Sequence, residues 1–296
     1  MSATVVGNLK KGKDKEVIAI NNQGRYVSEE EYWEDYYECS EANYEWNNGI
    51  LEEKPVSDYL TFIMYQWFMN LLQHYFKSNA IGKMIGLEMG FRLALPNKVV
   101  IRKPDLGILT RNNPKQIDNY DHTYRGILNI CIEALSDSEL SEIIRDTVTK
   151  KEEYAQGGVK EYYILSHREE YIEFYRLDKS GVYCPIKPTT EGVIKSIELP
   201  GFQFRFNDLF IRPDESQMIQ DPVYQGYVAL KRQQERFEKE QALAEKEQER
   251  FEKEQALAEK EQALAEKEQE RFEKEQALAE KERLLNILKK LGINPN

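Results

Sequence analysis

Ile127-Leu128-Asn129-Ile130-Cys131-Ile132-Glu133-Ala134-Leu135 is the stretch on which the fold turns. A nearly continuous apolar run of this length reads as a strand buried on both faces, the habit of inner strands in α/β sheets. One charge interrupts it. A carboxylate at Glu133 loses its hydration in such a strand, so it requires a cation, a cluster of donors or a proton.

Upstream, period-two alternation marks strands over Met84–Glu88, Gly90–Leu95 and Val99–Thr110. The last of these holds a second misplaced charge, Asp105, in Ile101-Arg102-Lys103-Pro104-Asp105-Leu106-Gly107-Ile108. Asp105 and Glu133 converge if their strands are neighbours, and such a pair with open positions for water suits Mg²⁺, a hard cation that prefers oxygen. Singly, each has an ordinary reading: Asp105 as a strand-end turn residue, Glu133 as a partner for Arg102 or Lys103. Downstream, residues 142–156 carry a helical pattern closed by Gly157-Gly158, with Asp146, Lys150 and Tyr154 four apart on one face. A lysine on that face meets the carboxylates of the preceding strand, or else forms a plain surface ion pair. Further strands follow at Glu161–Leu165, Tyr171–Arg176, Val182–Ile186 and Ile194–Leu199.

Before the sheet, Ser28-Glu29-Glu30-Glu31 is a capping box that starts a short aromatic helix through Tyr37. Residues 44–54 predict a hairpin turning at Asn48-Gly49. Ser57 or Asp58 then caps a helix whose Leu60, Ile63, Met64, Trp67, Leu71, Leu72, Tyr75 and Phe76 form one core-facing stripe. Helices and a hairpin followed by a mixed sheet with a crossover helix give the class α/β (α+β).

Composition closes several doors. The 296 residues carry 52 acids against 41 Lys and Arg, a net charge of −11, which argues against a non-specific nucleic-acid coat. No apolar run approaches the roughly 18 residues of a membrane span, and Met1–Asn21 lacks the apolar block of a secretory signal. Three distant cysteines (Cys39, Cys131, Cys184) make neither a disulfide framework nor a zinc motif, so a cytoplasmic location is expected. His74, His122 and His167 are too scattered in sequence to suggest a histidine metal cluster. Gly7-x4-Gly12-Lys13-Asp14 approaches a phosphate-binding loop, but a carboxylate stands where a hydroxyl is needed.

Taken in order, the motifs resemble a known family. Ser28-Glu29-Glu30-Glu31-Tyr32, the hairpin Tyr44–Glu52, Lys103-Pro104-Asp105-Leu106, Cys131–Ser136, and Asp146-x3-Lys150-x3-Tyr154-x3-Gly158-Val159-x-Glu161-Tyr162-Tyr163 resemble the Uma-two endonucleases of the PD-(D/E)XK restriction-endonuclease-like superfamily. The resemblance spans Tyr26 to Phe210. It implies a restriction-endonuclease-like mixed β-sheet flanked by helices and Mg²⁺-dependent phosphodiester hydrolysis, with Mn²⁺ as substitute. Asp105 and Glu133 would hold the metal, with the backbone carbonyl of Ala134 as a further ligand. Glu45 matches the family's early acidic residue. The superfamily's Glu-x-Lys would put lysine at 135, where this chain has Leu135. The resemblance assigns the basic role to Lys150 instead; Lys151 would point about 100° away on a helix. The implied partner is nucleic acid, DNA rather than RNA, with no membrane. Arg102, Lys103, Arg125, Arg145, Lys150 and Lys151 form either a phosphate-binding patch or solvated counter-charges.

From Gln233 the chain repeats every seven residues, alternating Glu-Gln-Ala-Leu-Ala-Glu-Lys with Glu-Gln-Glu-Arg-Phe-Glu-Lys. This predicts a long helix with a thin coiled-coil seam, since Arg236, Arg250 and Arg271 interrupt the leucine position. Leu284, Leu285, Ile287, Leu288 and Leu291 form its one amphipathic patch, suited to weak self-association into a homodimer; a charged spacer is the plainer reading. The expected organisation is a mobile segment (1–25), a nuclease domain (26–212), a linker (213–230) and a charged heptad-repeat helix (231–291). The rival to a nuclease is a catalytically inert binding or scaffold protein of the same fold acting through this tail.

Overall fold

The computed structural model describes residues 22–38 and 42–290, and for 229–236 the backbone alone. The Gly7–Asp14 near-motif, Cys39 and residues 1–21 of the expected mobile segment lie outside the described residues. The end of that segment is hydrogen-bonded: the Gly24 N–H donates to Leu51 O (2.8 Å) and the Leu51 N–H to Arg25 O (2.9 Å). An edge strand offers unpaired backbone groups, and residues 24–27 take them up.

Ser28 Oγ accepts the Glu31 N–H at 3.0 Å and starts α1 (Glu29–Glu31), which a π-helical stretch continues over Tyr32–Tyr36. The hairpin is β1 (Tyr44–Asn47) and β2 (Ile50–Glu53), with Asn47 opposite Ile50. Its two turn residues take positive φ, +48° at Asn48 and +103° at Gly49, the geometry that suits a two-residue hairpin. At Gly49 a side chain would also strike the Tyr26 ring at 2.3 Å. Asp58 Oδ1 accepts the N–H groups of Leu60 and Thr61 and caps α2 (Tyr59–Ser78).

The run read as one strand over Val99–Thr110 is two strands in two sheets. β3 (Gly82–Ile85) and β4 (Phe91–Ala94) precede β5 (Val99–Arg102) and β6 (Leu106–Thr110). β5 joins a four-stranded sheet ordered β2-β1-β5-β4. After β7 (Ile130–Ala134), the crossover runs through α3 (Leu140–Ile144), a π-helical stretch (Arg145–Lys150) and α4 (Lys151–Gly157). It ends at Gly158, whose φ of +87° is the left-handed cap that glycine favours. The chain continues with β8 (Glu161–Leu165), β9 (Glu173–Leu177), β10 (Tyr183–Pro185), β11 (Val193–Lys195) and β12 (Gln203–Arg205). The six-stranded sheet is ordered β10-β9-β8-β7-β6-β3, and β11 pairs with β12. β7 pairs antiparallel with β6 and parallel with β8, so it is central and needs the helical crossover.

One face of the six-stranded sheet packs on α2. Met64, Trp67, Phe68, Leu71, Leu72 and Tyr75 meet Leu106, Ile108, Ile130, Ile132, Tyr163 and Leu165 there. Each fully buried side chain of this size contributes roughly 1.5–3 kcal/mol. Leu60, expected in the stripe, lies in the first helical turn and is exposed. The opposite face buries Cys131, Leu135, Tyr154, Tyr162 and Ile164, so β7 is enclosed on both sides.

Residues 213–230, expected as a linker, are folded. They form α6 (Glu215–Gln220) and α7 (Pro222–Gln225), after α5 (Asp208–Ile211), and enter α8 (Val228–Lys290). Met218 of α6, Val223 and Tyr224 of α7, and Tyr227 and Val228 at the entry to α8 are buried in the α2 core. The chain divides into two compact units, residues 1–231 and 232–296. In the second, α8 runs as a helix whose Leu243, Leu257, Leu264, Leu278, Phe237, Phe251 and Phe272 are all exposed. Among the described residues, no helix is long and apolar enough to cross a membrane.

Candidate metal and catalytic site

The site is built where the two larger sheets meet. Pro104 has no N–H to give, so the β5 ladder stops at Arg102 and the chain passes to the other sheet. Asp105 stands at that junction. The register Leu106 opposite Ile132 brings Asp105 across from Glu133 on the neighbouring strand. Asp105 Oδ2 accepts the Ala134 N–H at 2.7 Å, and Oδ1 lies 2.9 Å from Lys54 Nζ.

Glu133 shares its face of β7 with Cys131, the side on which the crossover helix packs. Lys150 Nζ stands 3.1 Å from Glu133 Oε1, 3.1 Å from Asp146 Oδ1 and 3.4 Å from Glu45 Oε1. The Tyr154 hydroxyl donates to Glu133 Oε1 at 2.8 Å. Asp146, Lys150 and Tyr154 thus reach one point from one side of the crossover. Glu45, on the buried strand β1, accepts the Lys103 N–H at 2.8 Å and pairs with Arg102 at 3.1 Å. Lys151 turns away to Tyr175, its Nζ 4.0 Å from the ring centroid.

Burial sets the electrostatics. Burial pushes the Glu133 carboxyl up to about 8; Lys150 and Lys54 pull against this, while the neighbouring Asp105 charge adds to it. For Glu45, burial would raise the pKa, but Lys150, Arg102 and Lys54 outweigh it and hold the carboxyl well below its usual range. Burial works against the Lys150 ammonium, and Asp146, Glu133 and Glu45 overcome it, so this lysine stays charged. Each acid of the pair thus has one lysine, Lys54 at Asp105 and Lys150 at Glu133.

The chemistry of the donor set fits a divalent ion. Asp105 and Glu133 offer hard carboxylate oxygens, the chemistry Mg²⁺ and Mn²⁺ select. The Ala134 carbonyl accepts the Ser57 hydroxyl at 2.5 Å and retains a second lone pair. A separate group, Asp58, Asp137 and His167, brings three ligand atoms within 4.8 Å of one another. There Asp58 is already the cap of α2, and Arg168 Nε pairs with Asp137 Oδ2 at 2.9 Å.

Of the six basic residues read as either a phosphate patch or counter-charges, three do not reach the surface. Arg102, Lys103 and Lys150 are buried. Arg102 reaches Glu45, Glu52 and Glu153, not Glu133. Lys103 Nζ donates to Tyr37 O and Asn43 Oδ1, both at 3.0 Å. Arg145 donates to Glu53 O at 2.8 Å. Buried cations among abundant acids become internal counter-charges. Sequence reasoning missed Lys54, whose partner Asp105 lies 51 residues away, and Ser57 as a partner of the Ala134 carbonyl. The one signal for Lys54 was a lysine directly following the hairpin's paired Glu52-Glu53.

Fold and site together define a mixed α/β protein with two strand-borne carboxylates facing each other and a buried lysine behind them. The family model described as "Putative restriction endonuclease", Uma2, matches residues 30–209, more than half of the chain. The chain belongs to the Uma2 family. A solved structure described as "a putative nuclease belonging to DUF820" from Anabaena variabilis ATCC 29413 is 13% identical, with a TM-score of 0.45, over 58% of this chain and 92% of that one. No curated protein matches the chain.

Proposed function

We propose that this protein is a divalent-metal-dependent endonuclease that hydrolyses phosphodiester bonds of nucleic acid, DNA rather than RNA, at the Asp105–Glu133 site. The observation that carries the reading is the juxtaposition of these two acids where the start of β6 meets β7: Asp105 Oδ2 accepts the N–H of Ala134, the residue after Glu133, at 2.7 Å. Family membership supports the reaction class. Asp105, Glu133 and the Ala134 carbonyl would hold Mg²⁺, or Mn²⁺ in its place. When bound, such an ion neutralises phosphate charge and lowers the pKa of water.

The chain's own residues supply the rest. Lys150 and the Tyr154 hydroxyl fix Glu133 and favour its ionised form. Glu45 anchors the Lys103 amide and so the turn that presents Asp105. In the reaction a water oxygen adds to phosphorus and the bond to the leaving sugar oxygen breaks. One water proton passes to solvent, and the leaving oxygen takes up a proton.

Incubation of supercoiled plasmid, single-stranded DNA and RNA with Mg²⁺, Mn²⁺ or EDTA tests this. The expected result is metal-dependent cleavage of DNA that Asp105→Ala abolishes; equal cleavage by both preparations would sink the site. One observation favours the rival, an inert protein acting through its tail: Leu135, where the superfamily has lysine, is fully buried in the core. Under that reading the parent cleaves nothing with either metal.

A further inference from the structure

The strand β4 alternates, burying Phe91 and Leu93 and turning Arg92 and Ala94 outward. The outward pair lines a cavity of about 850 Å³, together with Trp33 and the segment from Thr123 to Ile127. A mainly apolar wall with a few polar groups is the usual make-up of a small-ligand site of this size. The charge of this cavity sets it apart in an acidic chain. Two guanidiniums line it and no carboxylate does. The groove that Lys103 lines carries three acids, Glu38, Glu88 and Asp121, and the groove beside Lys54 carries four. An anion is therefore favoured beside β4 and opposed in the other two.

The two arginines are not equivalent. Arg92 is committed, its Nε and Nη2 donating to Glu29 at 2.5 and 3.1 Å. Arg125 is exposed, and among the described residues its side chain has no ion-pair or hydrogen-bond partner. Its planar fork of donors is open to an anion. Trp33 supplies the complementary surface. Its indole Nε1 donates to Glu29 Oε1 at 3.4 Å, so one carboxylate holds both Trp33 and Arg92 in the wall. Behind it lies Tyr37, with ring centroids 4.6 Å apart. A half-buried indole fixed in this way offers a planar ring something to stack on.

We infer that this cavity binds a single unpaired nucleotide, its base against Trp33 and its phosphate on Arg125. The choice of a nucleotide over another aromatic anion rests on the nuclease reading above, since each unit of such a substrate carries one base and one phosphate. The cavity is also tied to the candidate site. The Tyr37 carbonyl accepts Lys103 Nζ at 3.0 Å, and Lys103 stands two positions before Asp105.

The test titrates the full chain in EDTA, where nothing is cleaved, with deoxyadenosine monophosphate and with deoxyadenosine, followed by calorimetry and tryptophan emission. Arg125→Ala and Ala94→Phe change exposed positions, and each is checked for a parent-like thermal transition. The parent should bind the monophosphate with quenched emission, and deoxyadenosine about tenfold more weakly or worse, the loss expected for a charged hydrogen-bond partner. Arg125→Ala should weaken the monophosphate by the same factor and leave deoxyadenosine unchanged. Ala94→Phe, which fills the cavity, should abolish binding of both. The same titration with a single-stranded hexadeoxyadenylate separates the two sources of a nucleotide: binding as tight as the monophosphate or tighter assigns the cavity to a strand, and weaker binding to the free nucleotide. No binding of the monophosphate up to millimolar concentration, or parent-like binding in both variants, would overturn the inference and leave the nuclease reading standing. A parent that binds the monophosphate as described yet cleaves nothing with any divalent metal brings down the nuclease reading alone.

Discussion

Replacing Lys150 by Met should destabilise the folded unit far more than an ordinary surface change. Its ammonium lies within 3.1–3.4 Å of three buried carboxylates. At an effective dielectric constant of about 20, one such pair at 3 Å is worth roughly 5 kcal/mol of gross attraction. The cost of burying the ammonium cancels much of that. What remains after removal is not a neutral cavity but Glu133 and Asp146 stripped of their lysine beside Glu45, which keeps only Arg102. Breaking a buried pair in this way costs about 3–5 kcal/mol, a large share of a typical total of 5–15 kcal/mol. For a unit of this size, each kcal/mol lowers Tm by about 2–4 °C, so a drop of at least roughly 6 °C is expected. Guanidinium titration followed by far-UV circular dichroism measures the change at pH 8. A loss below about 1 kcal/mol would refute the reasoning, since it would mean the three acids are not held by this lysine.

Asp105→Asn should abolish cleavage yet destabilise less than Lys150→Met, because the amide oxygen still accepts the Ala134 N–H and Lys54 keeps Lys103 O and Glu88; parallel activity and denaturation assays check both halves. Truncation after residue 212 should leave the unit unable to fold cooperatively, whereas truncation after 231 should preserve the parent's transition, as Met218, Val223, Tyr224, Tyr227 and Val228 belong to the α2 core; calorimetry of the two truncated forms decides. Alkaline pH should destabilise the fold through Tyr75 and Tyr124, each pushed up to about 12 by burial. The sign follows from linkage: the neutral phenols are favoured when folded, so their contribution is whole below pH 10 and is lost as pH rises from 10 to 12. After allowance for solvent near the hydroxyls, on the order of 1–2 kcal/mol each should disappear, seen as a falling denaturation midpoint between pH 9.5 and about 11.5.

Local chemistry was the most legible part of the sequence. Asn48-Gly49 specifies its turn through backbone φ alone, and Ser28 and Asp58 cap helices with their own side chains. Glu133 stood out because an apolar strand makes any charge conspicuous, and the same holds for Asp105 beside Pro104. What the sequence concealed was non-local. Alternation over Val99–Thr110 could not show that Pro104 divides two sheets, since both halves alternate alike. The π-helical turn at Arg145–Lys150 leaves the spacing of Asp146, Lys150 and Tyr154 unchanged, so it is invisible in the pattern. Arg102 and Lys103 looked like surface charges until the packing of β1 against β5 enclosed them. Lys54 has no periodic signal at all, because it is defined by Asp105 across 51 positions.

The central claim is that Asp105 and Glu133 together hold one divalent ion, and Mn²⁺ binding read by electron paramagnetic resonance tests it without reference to cleavage. The account predicts one bound Mn²⁺ in the parent and in Asp58→Asn, with that ion lost in Asp105→Asn and in Glu133→Gln. Retention of the parent's Mn²⁺ in both Asp105→Asn and Glu133→Gln would contradict it.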